Sequence, residues 1–273
     1  MRRAIALTIA GSDSSGGAGI QADLKTFAAH GVYGASVLTA LTAQNTKGVQ
    51  GVHAVPPDFV ALQIASVLDD LAVGAVKTGM LADAPIIEAV AAALETRAAR
   101  IPLVVDPVMV ATSGDVLLAP EAIATLKSRL LPLATVITPN LPEAAQLLGV
   151  PVAETENEAR AQLDRLREFG ARAVLLKGGH GTGSTAVDWL AVDGHVLRLE
   201  ATRIATRNTH GTGCTLSAAI AAELALGTPL QDAVRRAKDY VHRAIAAGAD
   251  MPIGGGHGPV DHLLGVPNGV VTR

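Results

Sequence analysis

Short, nearly continuous runs of Val, Ile, Leu and Ala alternate along the chain with longer segments of helical periodicity. Such apolar runs are typical of parallel strands that are covered on both faces. Their repeated alternation with helices predicts an α/β protein with right-handed crossovers. Strands are predicted at Ala4–Ala10, Gly34–Thr42, Gly74–Thr78, Leu103–Asp106, Ala134–Thr138 and Ala173–Lys177. Helices are predicted near residues 17–30, 57–70, 83–98, 120–131, 142–148 and 155–169.

The pattern changes after the sixth predicted strand. Thr185–Val192 and His195–Glu200 alternate around the pair Asp193-Gly194, which favours a type I′ hairpin. The mostly parallel sheet is therefore expected to end in an antiparallel edge. Two helices, predicted over residues 213–226 and 229–249, complete the core.

Composition narrows the class of protein. The chain has 273 residues, a net charge of −3, 2% aromatic residues and no basic block, so a nucleic-acid surface is not expected. No stretch of 18 apolar residues lacks charge, which argues against a membrane span. A single cysteine excludes an internal disulfide and fits a reducing, cytoplasmic compartment. No repeat or linker divides the chain, so we expect one domain over residues 1–273.

Polar and glycine-rich segments follow each of the six apolar runs. The carboxyl ends of parallel strands share one edge of the sheet, and ligands of open α/β sheets gather there. The segments are GSDSSGGAG, AQNT, TGM, DPVM, TPNLPE and KGGHG, in chain order. The sequence therefore predicts one small-molecule site at this edge. Turn residues within Met109–Pro120 also suggest a flap beside the site.

A dinucleotide site is the first alternative. Gly17-Ala18-Gly19-Ile20-Gln21-Ala22 matches the G-x-G-x-x-[GA] pattern and opens a predicted helix. However, six residues separate Ala10 from Gly17, and no acidic residue ends the second strand. Binding of NAD is therefore not expected, and no lysine follows a glycine as a Walker A loop would require.

The only cysteine lies where a glycine-rich turn enters a predicted helix. Gly211 and Gly213 allow successive N–H groups, including that of Thr212, to point into one concavity, and the helix adds its positive end. This arrangement suits a phosphate, and it is expected to lower the pKa of the Cys214 thiol. The alternative is an ordinary helix-terminal turn with a buried, inert cysteine.

Four other side chains at strand ends are candidates for chemistry. Asp106 and Glu143 suit Mg²⁺, held partly through water, although each is equally suited to capping a helix or turn. Lys177 can meet a phosphate, or it is an ordinary strand-end lysine. Gln44 offers a donor and an acceptor to a heterocycle, unless it is a core amide with internal partners. The eight histidines show no zinc-ligand spacing.

Taken in order, these segments resemble the ribokinase-like superfamily. Within it, the chain is similar to the bacterial hydroxymethylpyrimidine/phosphomethylpyrimidine kinases of thiamine biosynthesis. The resemblance covers almost the full length and is carried by IAGSDSSGGAGIQADLKTF, TALTAQNT, VKTGML, VVDPVMVATSG, TPNLPEA, LLKGGH, NTHGTGCTLSAAIAA, AKDYV and GHGPVDHL. It implies a three-layer αβα sandwich, a kinase that uses ATP, Mg²⁺ and a monovalent cation, and a homodimer.

The resemblance also implies a role for individual residues. Gly211, Thr212 and Gly213 resemble an anion hole for the transferred phosphoryl group, and Cys214 stands where most of the superfamily has an aspartate base. The substrate pocket would contain Gln44, Gly11, Asp23 and Met80. The Mg-ATP region would contain Asp106, Asn140, Glu143, Lys177 and Lys238.

Two rival functions stay open at this point. Some pyridoxal kinases resemble the same cysteine-bearing group, and both substrates are aromatic nitrogen rings with a CH₂OH group. The other rival is a pyrimidine-binding sensor that has lost turnover, which the intact set of polar residues argues against.

Overall fold

The computed structural model describes residues 3–111, 114–115, 117–179 and 183–264. Its centre is an eight-stranded sheet in the order β10-β9-β8-β7-β6-β5-β1-β2. The six strands from β2 to β8 in this order are parallel, and β9 and β10 are antiparallel. The strands are β1 Ile5–Ala10, β2 Tyr33–Leu38, β5 Ala75–Thr78, β6 Leu103–Val105, β7 Val136–Ile137, β8 Ala173–Leu176, β9 Thr185–Val192 and β10 His195–Thr202. Two further strands, β3 Ala40–Asn45 and β4 Gly48–Ala54, form a separate hairpin.

Helices cover both faces of the sheet, which confirms the expected three-layer α/β architecture. Neighbouring residues of one strand point to opposite layers: Ala75 belongs to the core cluster that contains residues of α1, α7 and α8, whereas Val76 belongs to the cluster that contains residues of α2, α3 and α6. The alanine-rich α7 lies close to the sheet because its side chains are small. The helices are α1 Gly19–Ala29, α2 Pro57–Leu68, α3 Ala84–Arg97, α4 Ala122–Thr125, α5 Leu141–Leu148, α6 Glu156–Leu166, α7 Thr212–Ala225 and α8 Leu230–Gly248. In the part of the chain that is described, no helix is long and apolar enough to cross a membrane.

The predicted hairpin at the sheet edge is confirmed. Asp193 and Gly194 connect β9 to β10 with φ angles of 49° and 77°, the positive pair that a type I′ turn requires. Strand β9 also pairs with β8 in antiparallel fashion. The change from parallel to antiparallel pairing therefore occurs after β8.

The prediction of one strand over Gly34–Thr42 is wrong. Strand β2 ends at Leu38, and β3 leaves the main sheet to pair with β4. Thr39 causes the change of direction: its hydroxyl donates to the carbonyl oxygen of Met80 at 2.6 Å, while its N–H bonds the carbonyl oxygen of Ala10. The resulting hairpin projects from the sheet beside the strand ends.

The helix predicted at 120–131 is also shorter than expected. Only Ala122–Thr125 is α-helical; a π turn follows at Leu126–Leu130 and a 3₁₀ turn at Leu131–Leu133. Pro132 has no N–H group to continue the helical ladder, which explains the irregular end. Residues 112, 113 and 116 of the flap expected at Met109–Pro120 lie outside the described residues, so the flap stays a prediction.

Candidate active site

A cavity of about 700 Å³ opens at the carboxyl ends of the parallel strands. Its size is within the range of small-molecule sites. Twelve of the thirteen residues expected at the site line it, so residues that are distant in sequence converge as the strand-end rule requires. The twelve are Gly11, Gln44, Met80, Asp106, Asn140, Glu143, Lys177, Gly211, Thr212, Gly213, Cys214 and Lys238.

The turn at the start of α7 provides unused hydrogen-bond donors. Gly211 is the N-cap, with φ 79°, a left-handed conformation that favours glycine. Among the described residues, the amides of Gly213 and Cys214 have no acceptor, whereas those of Thr212 and Thr215 bond to carbonyl oxygens in the turn. Two free amides at the positive end of a 14-residue helix are suited to an anion.

A second glycine-rich segment packs directly against this turn. A Cβ atom on Gly211 would collide with the carbonyl oxygen of Gly17, and a Cβ atom on Gly17 would collide with the His210 ring. Gly19, with φ 55°, lies against the backbone of Gly11 and Asp13. The glycines therefore allow a close backbone approach between these two loops, and the dinucleotide interpretation is not needed to explain them.

Cys214 lies at the meeting point of the two loops. The thiol is half-buried and its sulfur accepts a hydrogen bond from the Gly19 amide. Burial raises its pKa to about 11, and attraction to Lys77 opposes this only in part. The expectation that the helix terminus lowers this pKa is therefore wrong, because burial and the nearby carboxylates outweigh the attraction to Lys77 and the hydrogen bond from Gly19.

Asp23 is the one expected residue that does not line the cavity. It has no exposed surface, and its carboxylate bonds to Lys77 Nζ at 2.8 and 3.0 Å and accepts the Thr8 hydroxyl at 2.6 Å. Lys77, also fully buried, does line the cavity. Burial lowers the pKa of Lys77, but attraction to Asp23 and to the other nearby acidic groups together outweighs burial and raises this pKa. Asp23 thus holds a cation at the pocket floor rather than contacting a ligand there.

A second buried charge cluster lies beside the turn. Lys177 Nζ is 3.0 Å from Asp106 and 3.9 Å from Glu143. Burial opposes the charge on Asp106, but Lys177 and Lys77 outweigh it and lower the pKa of Asp106. Burial raises the pKa of Glu143 to about 7, with repulsion from Asp106 acting in the same direction. A Cβ on Gly213 would be 3.4 Å from Lys177 Nζ, so this cluster adjoins the free amides.

Glu143 caps a helix and also lines the cavity. Its carboxylate accepts the Asn140 amide at 2.7 Å while the Asn140 side chain accepts the Glu143 amide at 2.8 Å, a complete capping box. The same two residues line the cavity. Within the described residues, no three His, Cys, Asp or Glu side chains are grouped to hold a metal ion. The pair Asp106 and Glu143 instead suits Mg²⁺ that keeps water and phosphate oxygens as its other ligands.

Lys238 lies at the end of the cavity near β9, away from β1. Its ammonium group is 2.6 Å from Asp188, whose other oxygen accepts the Gly178 amide at 2.8 Å. Val241 and Ile245 line the cavity from the same helix, α8. This end therefore combines one paired cation with apolar surface.

Gln44 and Met80 lie at the end near β1. The Gln44 backbone both donates to and accepts from the Ser14 hydroxyl, each at 2.8 Å. Its side-chain oxygen is 3.2 Å from the Thr42 hydroxyl, the only partner of this amide among the described residues. Met80 Sδ would be 3.0 Å from a Cβ on Gly11, so a side chain at position 11 would displace it.

Sequence reasoning did not find the pair Asp13 and His210. His210 is buried, lines the cavity, and its Nε2 lies 2.7 Å from Asp13 Oδ2. Asp13 also accepts the amides of Ser15, Gly17 and Ala18. Burial would raise the pKa of Asp13, but hydrogen bonds from His210 and Ser15 hold it well below its ordinary value. Lys77 was missed too, although a lysine inside an apolar strand was a readable signal.

Comparison with known proteins gives consistent matches. The family model described as phosphomethylpyrimidine kinase matches residues 13–261. The hydroxymethylpyrimidine/phosphomethylpyrimidine kinase of Rhizobium meliloti is 58% identical over 261 residues, covering 95% of this chain and 97% of its own. The protein of the same name from Escherichia coli is 53% identical, covering 96% and 98%. The solved structure of Bacillus subtilis pyridoxal kinase, an ADP complex, matches with a TM-score of 0.88 at 41% identity, covering 96% and 98%.

The raised pKa of the thiol leads to a measurable pH dependence. We predict that iodoacetamide alkylates Cys214 of the ligand-free protein slowly at pH 8 and increasingly fast through pH 10. With a pKa of about 11, only about one thiol in a thousand is ionised at pH 8, and the thiolate is the reactive form. The rate constant at each pH is read from mass spectrometry, and this chain has no second cysteine to confuse it. N-acetylcysteine serves as the unperturbed control, and a rate that levels off below pH 8.5 would contradict the prediction.

Proposed function

Because the chain belongs to the phosphomethylpyrimidine kinase family, we propose that this one pocket carries out two successive phosphoryl transfers. The chain is a kinase that phosphorylates 4-amino-5-hydroxymethyl-2-methylpyrimidine and then its monophosphate, in thiamine biosynthesis. Residues 1–273 act as a single, cytoplasmic kinase domain. One observation carries the assignment of the site: the free amides of Gly213 and Cys214 adjoin the same cavity as Gln44.

The two ends of the cavity correspond to the two substrates. The pyrimidine binds near Gln44, Gly11 and Met80, where the glutamine amide can pair with a ring nitrogen and the amino group. ATP binds toward Lys238, with its base against Val241 and Ile245. Its terminal phosphate then reaches the free amides at the start of α7.

The acidic cluster has the donors that Mg²⁺ requires. Asp106 and Glu143 would hold the ion, Asn140 fixes Glu143, and Lys177 lies between the carboxylates to meet phosphate oxygens. The ion supplies neutralisation of phosphate charge when it is bound. The monovalent cation that the resemblance implies stays a prediction without an assigned site.

The two transfers make different demands on Cys214. In the first, the alcohol oxygen forms a bond to the γ-phosphorus and the bond to the bridging β–γ oxygen breaks. The alcohol proton passes to Cys214 in its thiolate form, which the thiol reaches by first releasing its own proton to solvent. In the second, a phosphate oxygen that is already ionised attacks, so no proton has to be removed. Catalysis of both depends on positioning and neutralisation of charge, which the amides and Lys177 provide.

Substitution of Cys214 tests the proposal, because it should affect the two transfers differently. We predict that Cys214→Ala slows phosphorylation of the alcohol by about 10²- to 10⁴-fold, the usual contribution of a general base. Phosphorylation of the monophosphate should slow by less than about tenfold, because its nucleophile is already deprotonated. Each substrate is supplied separately, ADP release is followed, and ³¹P NMR identifies the mono- and diphosphate products.

Cys214→Ser is the size-matched control, and it should lie between wild type and Cys214→Ala in the first transfer. Equal slowing of both transfers by Cys214→Ala would contradict the base role and indicate a structural one. No ADP release with either pyrimidine would overturn the proposed function itself and favour a silent sensor.

Phosphorylation of pyridoxal is the second candidate function. The 41% identity to Bacillus subtilis pyridoxal kinase over 96% of the chain favours testing it beside the pyrimidine. The same ADP-release assay with pyridoxal measures its share of the activity. Formation of a diphosphate discriminates between the two, because phosphorylation of pyridoxal ends at the monophosphate.

Recognition of the pyrimidine gives a separate prediction. Gln44→Ala should raise the KM for the pyrimidine alcohol about tenfold, the effect of losing one or two hydrogen bonds. The KM for ATP should change less than about twofold, because ATP binds at the other end of the cavity. Gln50→Ala is the matched control, since Gln50 is an exposed glutamine on the same hairpin that does not line the cavity. A parallel rise of both KM values in Gln44→Ala would rule out this assignment.

The homodimer is proposed from the β2 edge of the sheet. Tyr33 on β2, Leu41 on β3, and Phe59 and Leu62 on α2 are all large apolar side chains that are about half exposed. An edge strand with exposed apolar neighbours is a favourable surface for a second copy of the chain.

We predict that the double variant Phe59→Glu/Leu62→Glu is monomeric, whereas the wild-type protein has twice the chain mass of 27.7 kDa. Two carboxylates on one face of α2 would have to be desolvated in the interface. Light scattering after size exclusion gives the mass, and Leu226→Glu, at a similarly exposed leucine that directly follows α7, is the control. A wild-type mass equal to that of one chain would contradict the proposed homodimer.

A further inference from the structure

The segment Gly254–Pro259, the clasp, runs between the β3–β4 hairpin and the turn at the start of α7. It lies after α8, outside any helix or strand. Its residues are four glycines, His257 and Pro259. Its contacts join the hairpin to the turn at the start of α7. The proposed function leaves the clasp without a role.

One end of the clasp holds the tip of the hairpin. The Gly256 amide donates to the Thr46 hydroxyl at 3.1 Å, and the His257 amide donates to the Thr46 carbonyl oxygen at 2.8 Å. Thr46 lies in the turn between β3 and β4, two residues after Gln44. These bonds therefore fix the hairpin close to the side chain that faces the pyrimidine end of the cavity.

The other end of the clasp holds the turn before α7. The His210 amide donates to the Gly258 carbonyl oxygen at 3.0 Å, and Pro259 forms a parallel bridge with His210. The His210 ring is in turn bonded to Asp13. The clasp is thus bonded to His210, which lies just before the free amides at the start of α7.

We propose that the clasp positions Gln44 for the pyrimidine by holding the hairpin at a fixed distance from the catalytic turn. This inference rests on the proposed function, since it concerns affinity for the pyrimidine alcohol. Other bonds hold the hairpin on the side of β1: the Ser14 hydroxyl bonds the Gln44 backbone, and the Thr42 hydroxyl donates to the Ser12 carbonyl oxygen. Loss of the clasp contacts would release the tip of the hairpin at Thr46, while the bonds to the loop after β1 and the bond from the Val49 amide to Asp115 would remain.

Adjacent glycines of the clasp provide a matched pair of substitutions. A Cβ on Gly256 would collide with the Thr46 carbonyl oxygen, which is backbone, so the clasp and the hairpin would have to separate. A Cβ on Gly255 would meet only the flexible Lys47 side chain, at 3.2 Å. Neither glycine has a positive φ, so the two variants differ in contact and not in backbone strain.

The experiment compares Gly256→Ala with Gly255→Ala in the full-length protein. In Gly256→Ala, the KM for the pyrimidine alcohol should rise about tenfold, while kcat and the KM for ATP should change less than about twofold. Gly255→Ala should match wild type. Hydrogen–deuterium exchange of the ligand-free proteins is the second readout, and exchange across residues 40–54 should rise in Gly256→Ala alone.

Thr46 supplies a milder pair if Gly256→Ala does not fold. Thr46→Val removes the acceptor of the Gly256 amide with little change of shape, and Thr46→Ser keeps the hydroxyl. The KM for the pyrimidine should rise about threefold in Thr46→Val, the effect of one hydrogen bond, and stay near wild type in Thr46→Ser.

The outcomes separate the clasp from the proposed function. If wild type turns over the pyrimidine but Gly256→Ala equals Gly255→Ala, the clasp proposal is overturned and the function stands. If exchange rises in Gly256→Ala with no change in the pyrimidine KM, or if kcat and both KM values change together, the positioning role is likewise overturned. If wild type does not turn over the pyrimidine, the function fails, and equal exchange of the two variants would overturn the clasp independently.

Discussion

The hydrogen bond between Asp13 and His210 is the contact on which the arrangement of the site depends. Asp13 gathers the amides of the loop after β1, and His210 directly precedes the turn that starts α7. Both loops must therefore approach backbone to backbone, which the glycines at positions 17 and 211 permit. The Gly19 amide reaches the Cys214 sulfur only because of this approach. This one hydrogen bond therefore holds together the free amides at the start of α7, the Cys214 thiol and the loop after β1.

The buried charges around this contact are paired, each lysine with one or two carboxylates. Lys77 pairs with Asp23, Lys177 with Asp106 and Glu143, and Lys238 with Asp188. Pairing is what allows so many ionisable groups in a protein interior, because an isolated buried charge is strongly unfavourable. An incoming triphosphate would compete with the carboxylates for the lysines, and a divalent cation would take over the carboxylates. The lysines and carboxylates thus pair with one another at the positions proposed for the phosphate oxygens and Mg²⁺.

Much of the fold was readable because each parallel strand is a short apolar run followed by a polar segment. That rule brought Asp106, Glu143 and Lys177 together correctly. The turn at Thr39 was not readable, since it depends on a hydroxyl reaching the carbonyl oxygen of Met80, forty-one residues away. The pKa of Cys214 was misjudged for a similar reason: the helix terminus is visible in the sequence, but burial and distant carboxylates are set by packing. Asp23 and His210 likewise take their roles from partners far along the chain.

The protonated state of the only thiol has a consequence for oxidative damage. Peroxides attack the thiolate, and a thiol with a pKa of about 11 presents very little of it at neutral pH. The resting protein is therefore protected from conversion of Cys214 to sulfenic acid by the same burial that keeps the sulfur a weak nucleophile. Sensitivity to oxidants would arise only in whatever liganded state draws the proton away, so that damage is tied to turnover rather than to mere presence of the protein.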